Sequence, residues 1–443
     1  MITRRRFLGY TALPGALALK GVVPAAFARP LLGASLPQAA AAPDAPMAEP
    51  VPDAAYQAWP APHVSARALK LHRECLIFDA HVHALDREFY HGGSFGQRQV
   101  GGMWDLPRAQ EGGEGAFFCS VFTPEEYYPG RFETKQALRR IDHAMREFAK
   151  NQDKVEMAFN AADVERIHRQ GKIAGVLDIE GSYDLDGDLG VLRELYRLGL
   201  RSAQLSAHNW NQHYSSSCCA PPGQPGPKGL TLHGRAVIRE MNRLGMAINI
   251  SHSSDEAASE AIDVSEAPII ATHHGLRRVN DIPRNMPDWL LKKLTAKGGM
   301  FCFQIGSEFN YLPEYTWLTH HQKKTFWDTT SVEQRVRGLD IYQVDKLVAP
   351  EYPMPGAVVP LSVQMHVDNW VGVVDQAIQL VGEDHVGFGS DFDGGPTLAH
   401  GMRDVRDLAM ITDAMLRRGY SDERIRKFWG GNMLRFFRTV TRG

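Results

Sequence analysis

The 443-residue chain has only five cysteines, no Cys-x-x-Cys pair, a formal net charge of just −2, and no internal apolar run of membrane-spanning length. Each shortage excludes something. Five cysteines (Cys75, Cys119, Cys218, Cys219 and Cys302) are too few for a dense disulfide framework, and an odd number leaves at least one thiol free or pairing between chains. Without Cys-x-x-Cys, a cysteine zinc site is not expected. Cys75, Cys119 and Cys302 lie in apolar, strand-like runs and are expected in the core. With no spanning run, no membrane anchor is expected in the mature chain. So small a net charge gives no reason to expect a nucleic-acid partner. No Gly-x-Gly-x-x-Gly follows the first strand-like run, which weakens a dinucleotide-binding reading.

Histidine, by contrast, is plentiful. The chain has eighteen, and several end apolar runs. The first such run reads "CLIFDAHVH" (75–83) and finishes on His81 and His83. On a strand these two project from the same face.

The N-terminus reads as a targeting signal rather than as part of the fold. "TRRRFLG" (3–9) matches the twin-arginine pattern, a mildly apolar segment follows, and "AFA" (26–28) is a small-x-small cleavage site. The expected boundaries are a signal peptide over 1–28, a flexible Ala/Pro-rich leader over 29–62 and a single barrel domain over 63–443. The expected partner during export is the twin-arginine translocase, which carries folded proteins, and the expected destination is a bacterial periplasm.

Eight short runs rich in β-branched and aromatic residues recur past residue 70: 75–83, 116–122, 173–181, 202–209, 246–254, 268–275, 299–306 and 385–394. Their near-continuous apolarity suits strands buried on both faces of a parallel sheet. Helix-like stretches with apolar residues three and four apart lie between most of them, as in "DLGVLRELYRLGL" (188–200) and "LHGRAVIREMNRLG" (232–245). The expected fold is an α/β, TIM-like (β/α)8 barrel with loop insertions. An open doubly wound sheet is the alternative.

In a barrel the polar residues that end these runs converge on one face. They are His81 and His83, Glu180, His208, His252, His273 and Asp391. Any one alone has an ordinary explanation as a hydrogen-bonded or capping residue. Together they have the composition of a metal site. One catalytic zinc takes about three protein ligands. His81, His83, His252, His273 and a shareable Glu180 therefore suggest two metal ions about 3.5–4 Å apart, bridged by Glu180 and a hydroxide. Histidine-rich ligation favours zinc. Asp391 is placed to move protons as acid/base.

These residues carry a resemblance. "LDIEGSYDLDGDLGVLRELYRLGLRSAQLSAHNWN", "GRAVIREMNRLGMAINISHSS", "APIIATHH", "RNMPDWLL" and "HVGFGSDFDGG" resemble, in order and from about residue 72 to 438, the renal (membrane) dipeptidase family of zinc hydrolases in the amidohydrolase superfamily. The resemblance implies dipeptide hydrolysis at a binuclear zinc centre, with tolerance for a C-terminal D-residue. It implies that Glu180 bridges, that His252 and His273 bind one ion, and that His81 and His83 bind the other. It implies that His208 contacts the substrate, that Arg284 holds its terminal carboxylate, and that Asp391 is the acid/base. A homodimer is also implied. His274 neighbours His273 but points the other way on a strand, which marks it as structural.

The chain departs from the family at its first motif, which is usually His-x-Asp and here is His-x-His. Two insertions also stand out: a Pro/Gly/Ser-rich loop (213–229) and a long aromatic-rich segment (307–365) with Phe309, Tyr311, Tyr315, Trp317, Phe326 and Trp327. The leading expectation is a periplasmic zinc dipeptidase acting on small peptides. The alternatives are a dipeptidase-like tailoring enzyme for an exported peptide-derived metabolite, such as a siderophore or secondary-metabolite precursor, and a non-catalytic binding protein on the same scaffold.

Overall fold

The computed structural model describes residues 61–441, apart from 126, 129–131, 182, 185, 209, 221–222, 322–334, 353–358 and 361. The expected signal peptide, almost all of the leader, and Phe326 and Trp327 lie outside the described residues.

Among the described residues nine strands form: β1 (Ile77–Val82), β2 (Glu114–Thr123), β3 (Val155–Met157), β4 (Ile173–Gly181), β5 (Ser202–Gln204), β6 (Ala247–Asn249), β7 (Ile270–His274), β8 (Met300–Phe303) and β9 (Val386–Phe388). Eight follow one another around the barrel in the order β1-β2-β4-β5-β6-β7-β8-β9, and every pairing is parallel. The ends meet where the chain past β9 returns to β1. The His83 amide donates to the Phe392 carbonyl (3.0 Å) and the Asp391 amide to the His81 carbonyl (2.9 Å). The result is a nearly closed (β/α)8 barrel. β3 was not evident in the sequence. It pairs with the first residues of β4, and β5 pairs with the later ones.

The eight barrel strands are buried along their length, as their apolarity requires. Every residue of β2 and β4 is buried, and the two run in register from Ala116↔Ala174 to Thr123↔Gly181. At the far side the backbone of Gly389 lies so close to β7 that a Cβ there would meet the Thr272 carbonyl oxygen at 1.8 Å. Only glycine fits this approach.

The helices carry the capping residues that start and stop them. Thr231 accepts from the Gly234 amide at the start of helix Leu232–Leu244, and left-handed Gly245 ends it just before β6. Ser254 caps helix Asp255–Val264 in the same way. Among the described residues, no helix is long and apolar enough to cross a membrane.

Both insertions have structure. The loop over 213–229 is pinned by isolated bridges, Ser215↔Leu230 and Ser217↔Ser253. From the longer segment, helix Ile341–Val348 buries Ile341, Val344 and Val348 in a satellite cluster with Tyr352, Phe122, Tyr127 and Tyr128. Phe122 belongs to β2, so this insertion packs directly on the rim of the barrel.

Candidate metal centre

The site is assembled at the C-terminal rim, where each strand releases its last side chain. His81 lies on β1 and His83 one residue past its end, yet their Nε2 atoms stand only 3.2 Å apart, as same-face residues should. Glu180 comes from β4 and His273 from β7. Three further expected strand-end residues lie well beyond the strands. His208 follows β5 by four residues, His252 follows β6 by three and Asp391 follows β9 by three. The reason is visible for two of them: His252 has φ +63° and Asp391 φ +65°, a left-handed conformation that a strand cannot contain.

Glu180 is the centre of the arrangement. Its Oε2 lies 2.9 Å from His81 Nε2 and 2.8 Å from His83 Nε2. Its Oε1 lies 3.2 Å from His252 Nε2 and 3.3 Å from His273 Nε2. The second pair of Nε2 atoms is separated by 3.1 Å. Donor atoms held at about 2.0–2.1 Å by one tetrahedral zinc stand about 3.3 Å apart, so both triads have the spacing of ligands sharing an ion. Each carboxylate oxygen serves one histidine pair, and this donor set fits two metals of the zinc type. His81, His273 and Asp391 make a third overlapping triad.

The electrostatics of the centre follow from the same contacts. Burial opposes charge on Glu180, but the imidazoles of His81 and His83 outweigh it and hold the carboxyl well below its usual range. Burial, followed by Arg284 and the neighbouring imidazoles, holds His252 and His273 well below the ordinary histidine value, in the neutral form that binds metal. Burial lowers His81, but Glu180 and Asp178 more than reverse it and raise His81 to about 9. Asp391 is likewise opposed by burial yet held at about 2 by His273, His83 and His81.

Asp391 Oδ1 lies 3.7 Å from His81 Nε2 and 3.4 Å from His83 Nε2, and its Oδ2 accepts from the Gln304 amide. His208 is half-buried, with its ring centre 4.0 Å from that of His252, and burial lowers it to about 4. Arg284 is buried (7% exposed) and donates to the His273 carbonyl (2.8 Å). Among the described residues no carboxylate lies within 4 Å of its guanidinium. All eight expected site residues are thus brought together. His274 faces away from them and packs towards Phe301.

Several residues of the site were not anticipated. Asp86, Arg140, Thr272 and Gln304 support the ligands or Asp391. Phe122 lies against His83 and His208, with ring centres 5.2 and 5.3 Å away, and Tyr352 extends that wall. Only Asp86 had a sequence signal: its carboxylate follows His83 by three residues. Cys218 and Cys219 are joined in a disulfide beside His252. The Cys218 amide donates to the His252 carbonyl (2.8 Å), and Ser217 Oγ contacts the carbonyls of His208 (2.9 Å) and His252 (3.1 Å). The 213–229 loop therefore clamps two site segments.

The barrel and its histidine–carboxylate cluster define a metal-dependent hydrolase. The sequence profile of the membrane dipeptidase family, peptidase family M19, matches residues 65–442, and the chain belongs to that family. The resemblance read from its motifs therefore holds. The chain is 32% identical over 350 residues to dipeptidase tcpJ of Claviceps purpurea, covering 77% of this chain and 70% of that protein. It is 29% identical over 345 residues to dipeptidase verJ of Clonostachys rogersoniana, covering 76% and 75%. The fold is shared with the probable dipeptidase PvdM from Pseudomonas aeruginosa, at TM-score 0.69 and 24% identity over 84% of this chain and 97% of that one. It is also shared with a metallopeptidase from Rhodobacter sphaeroides liganded with a phosphinate mimic of the dipeptide L-Ala-D-Ala, at TM-score 0.64 and 23% identity over 83% and 99%.

Proposed function

We propose that this chain is a zinc-dependent dipeptidase that hydrolyses the peptide bond of small peptides bearing a free C-terminal carboxylate. The observation that carries this reading is the placement of a buried guanidinium, Arg284, with no carboxylate partner among the described residues, beside two histidine pairs that share Glu180. When bound, a metal pair supplies an activated water and a Lewis acid for the scissile carbonyl.

The protein's own residues do the rest. Glu180 and the four histidines would hold the ions. Arg284 grips the substrate carboxylate with its planar fork of donors, which fixes the substrate beside the histidine pairs. His208, neutral above pH 4, donates to the carbonyl oxygen as negative charge develops there. Asp391, ionised at neutral pH, takes the proton from the attacking water and returns it to the departing amine. Water adds to the carbonyl, the C–N bond breaks, and an acid and an amine result.

The twin-arginine pattern at 3–9 supports export of the folded enzyme by the twin-arginine translocase to a periplasm. A second reading, a tailoring enzyme for a peptide-derived metabolite, is favoured by the aromatic wall of Phe122 and Tyr352 beside His83.

The test is hydrolysis of a panel of L-L and L-D dipeptides by zinc-loaded mature protein, with Asp391→Asn as control. Turnover lost in the variant supports the proposal. A folded, zinc-loaded protein that leaves the whole panel intact overturns it in favour of the second reading.

A further inference from the structure

The four imidazoles of the centre are supported unequally. His83 turns its distal nitrogen to a carboxylate: Nδ1 lies 2.7 Å from Asp86 Oδ2. Asp86 is completely buried. Its other oxygen takes Nη1 of Arg140, while Arg140 Nη2 donates to the Tyr90 hydroxyl (2.8 Å). The same guanidinium lies 4.5 and 4.9 Å from the ring centres of Phe89 and Tyr90. Asp86 is therefore held rigidly between Arg140 and His83. For His81 the nearest distal carboxylate, Asp178 Oδ2, stands 3.6 Å from Nδ1, and that nitrogen has no hydrogen-bond partner among the described residues; Asp391 Oδ1 stands on the open side of both rings.

Among the described residues neither ring of the other pair has a carboxylate on its distal nitrogen: His273 Nδ1 meets the hydroxyl of Thr272, at 2.9 Å. His252 Nδ1 has no hydrogen-bond partner among the described residues. The buried guanidinium of Arg284 stands on this side and reaches the His273 carbonyl, with Asp391 grouped with His273 and His81 on the other. A carboxylate on the distal nitrogen fixes the tautomer, aims Nε2 and makes it a stronger donor. A cation close to a metal weakens its binding.

We propose that the two metal subsites differ in affinity and that Asp86 is the positioning residue that makes the His81–His83 subsite the tight one. The His252–His273 subsite is the weaker, and a substrate carboxylate on Arg284 removes the charge that opposes it. This rests on the reading above that Glu180 and the four histidines hold a metal pair.

The experiment is a zinc titration of the metal-stripped protein against a chromogenic chelator. The wild-type chain is expected to fill in two steps at least about tenfold apart. Asp86→Asn is expected to weaken the tight step about 10–100-fold and leave the weak step in place. Because that variant strands Arg140, His83→Ala and His252→Ala give an independent assignment: the first removes the tight step and the second the weak one. In a His83→Asp background, adding Asp86→Asn should no longer alter zinc affinity, which a merely structural role for Asp86 would not produce. Two equal steps in the wild-type chain, or loss of the tight step in His252→Ala, would overturn the proposal. Failure of the wild-type chain to bind zinc at all would instead strike the metal-pair reading beneath it.

Discussion

Asp391 Oδ1 stands 3.4 Å from His83 Nε2, and its second oxygen is tied to the Gln304 amide. The carboxylate is aimed at the space between the ligand pairs and cannot turn away from it. Asp391→Asn keeps the shape and removes the proton acceptor. It is expected to lower kcat by about 10²–10⁴-fold, while zinc content and melting temperature stay close to wild type. Steady-state kinetics with metal analysis on the same sample checks this.

Arg284 tests substrate recognition separately. Arg284→Met is expected to raise KM for dipeptides with a free carboxylate by about 10–100-fold, the worth of a charge-assisted contact. Dipeptide amides, which have no carboxylate to offer, should lose far less. A KM ratio between acid and amide that the substitution leaves unchanged would remove Arg284 from that role.

Acid stability follows from His72, which lies on helix Ala66–Glu74 and is not one of the site residues. Its ring is buried between the Thr412 hydroxyl (2.8 Å) and the Gly112 carbonyl (2.9 Å), against Trp429. Burial, only partly offset by that carbonyl, lowers it from 6.5 to about 4. The unfolded chain takes up a proton below pH 6.5 that the folded chain refuses until about pH 4. The stabilisation is therefore complete above pH 6.5 and is lost as the pH falls towards 4, by about 3 kcal/mol for this one group. Denaturant unfolding across that window should show the slope, and His72→Gln should flatten it.

Thiol counting checks the cysteines. Cys75, Cys119 and Cys302 are free and buried, and Cys218 is bonded to Cys219. The folded protein should show no fast-reacting thiol. Unfolding without reductant should expose three, and unfolding with reductant five.

The barrel was legible because its strands are buried on both faces, so eight apolar runs announce eight staves. The ligands were legible because a (β/α)8 fold gathers what its strands release, and His81, His83, Glu180 and His273 sit at or beside strand ends. The rest depended on distances that sequence spacing does not encode. β3 is three residues long, below any periodic signal. Arg140 reaches Asp86 from helix Glu133–Lys150, 54 residues away along the chain. The strands that were expected to end on His252 and Asp391 stop short, because a polar loop geometry overrides the apolar pattern before it.

That loop geometry has a wider consequence. His252 and Asp391 both occupy a backbone conformation that glycine adopts freely and other residues resist. At these two positions, fitness of the metal-free chain and fitness of the catalyst pull in opposite directions. Variants sorted for heat resistance in the presence of a chelator would drift towards glycine at 252 and 391, growing sturdier as they lost their chemistry.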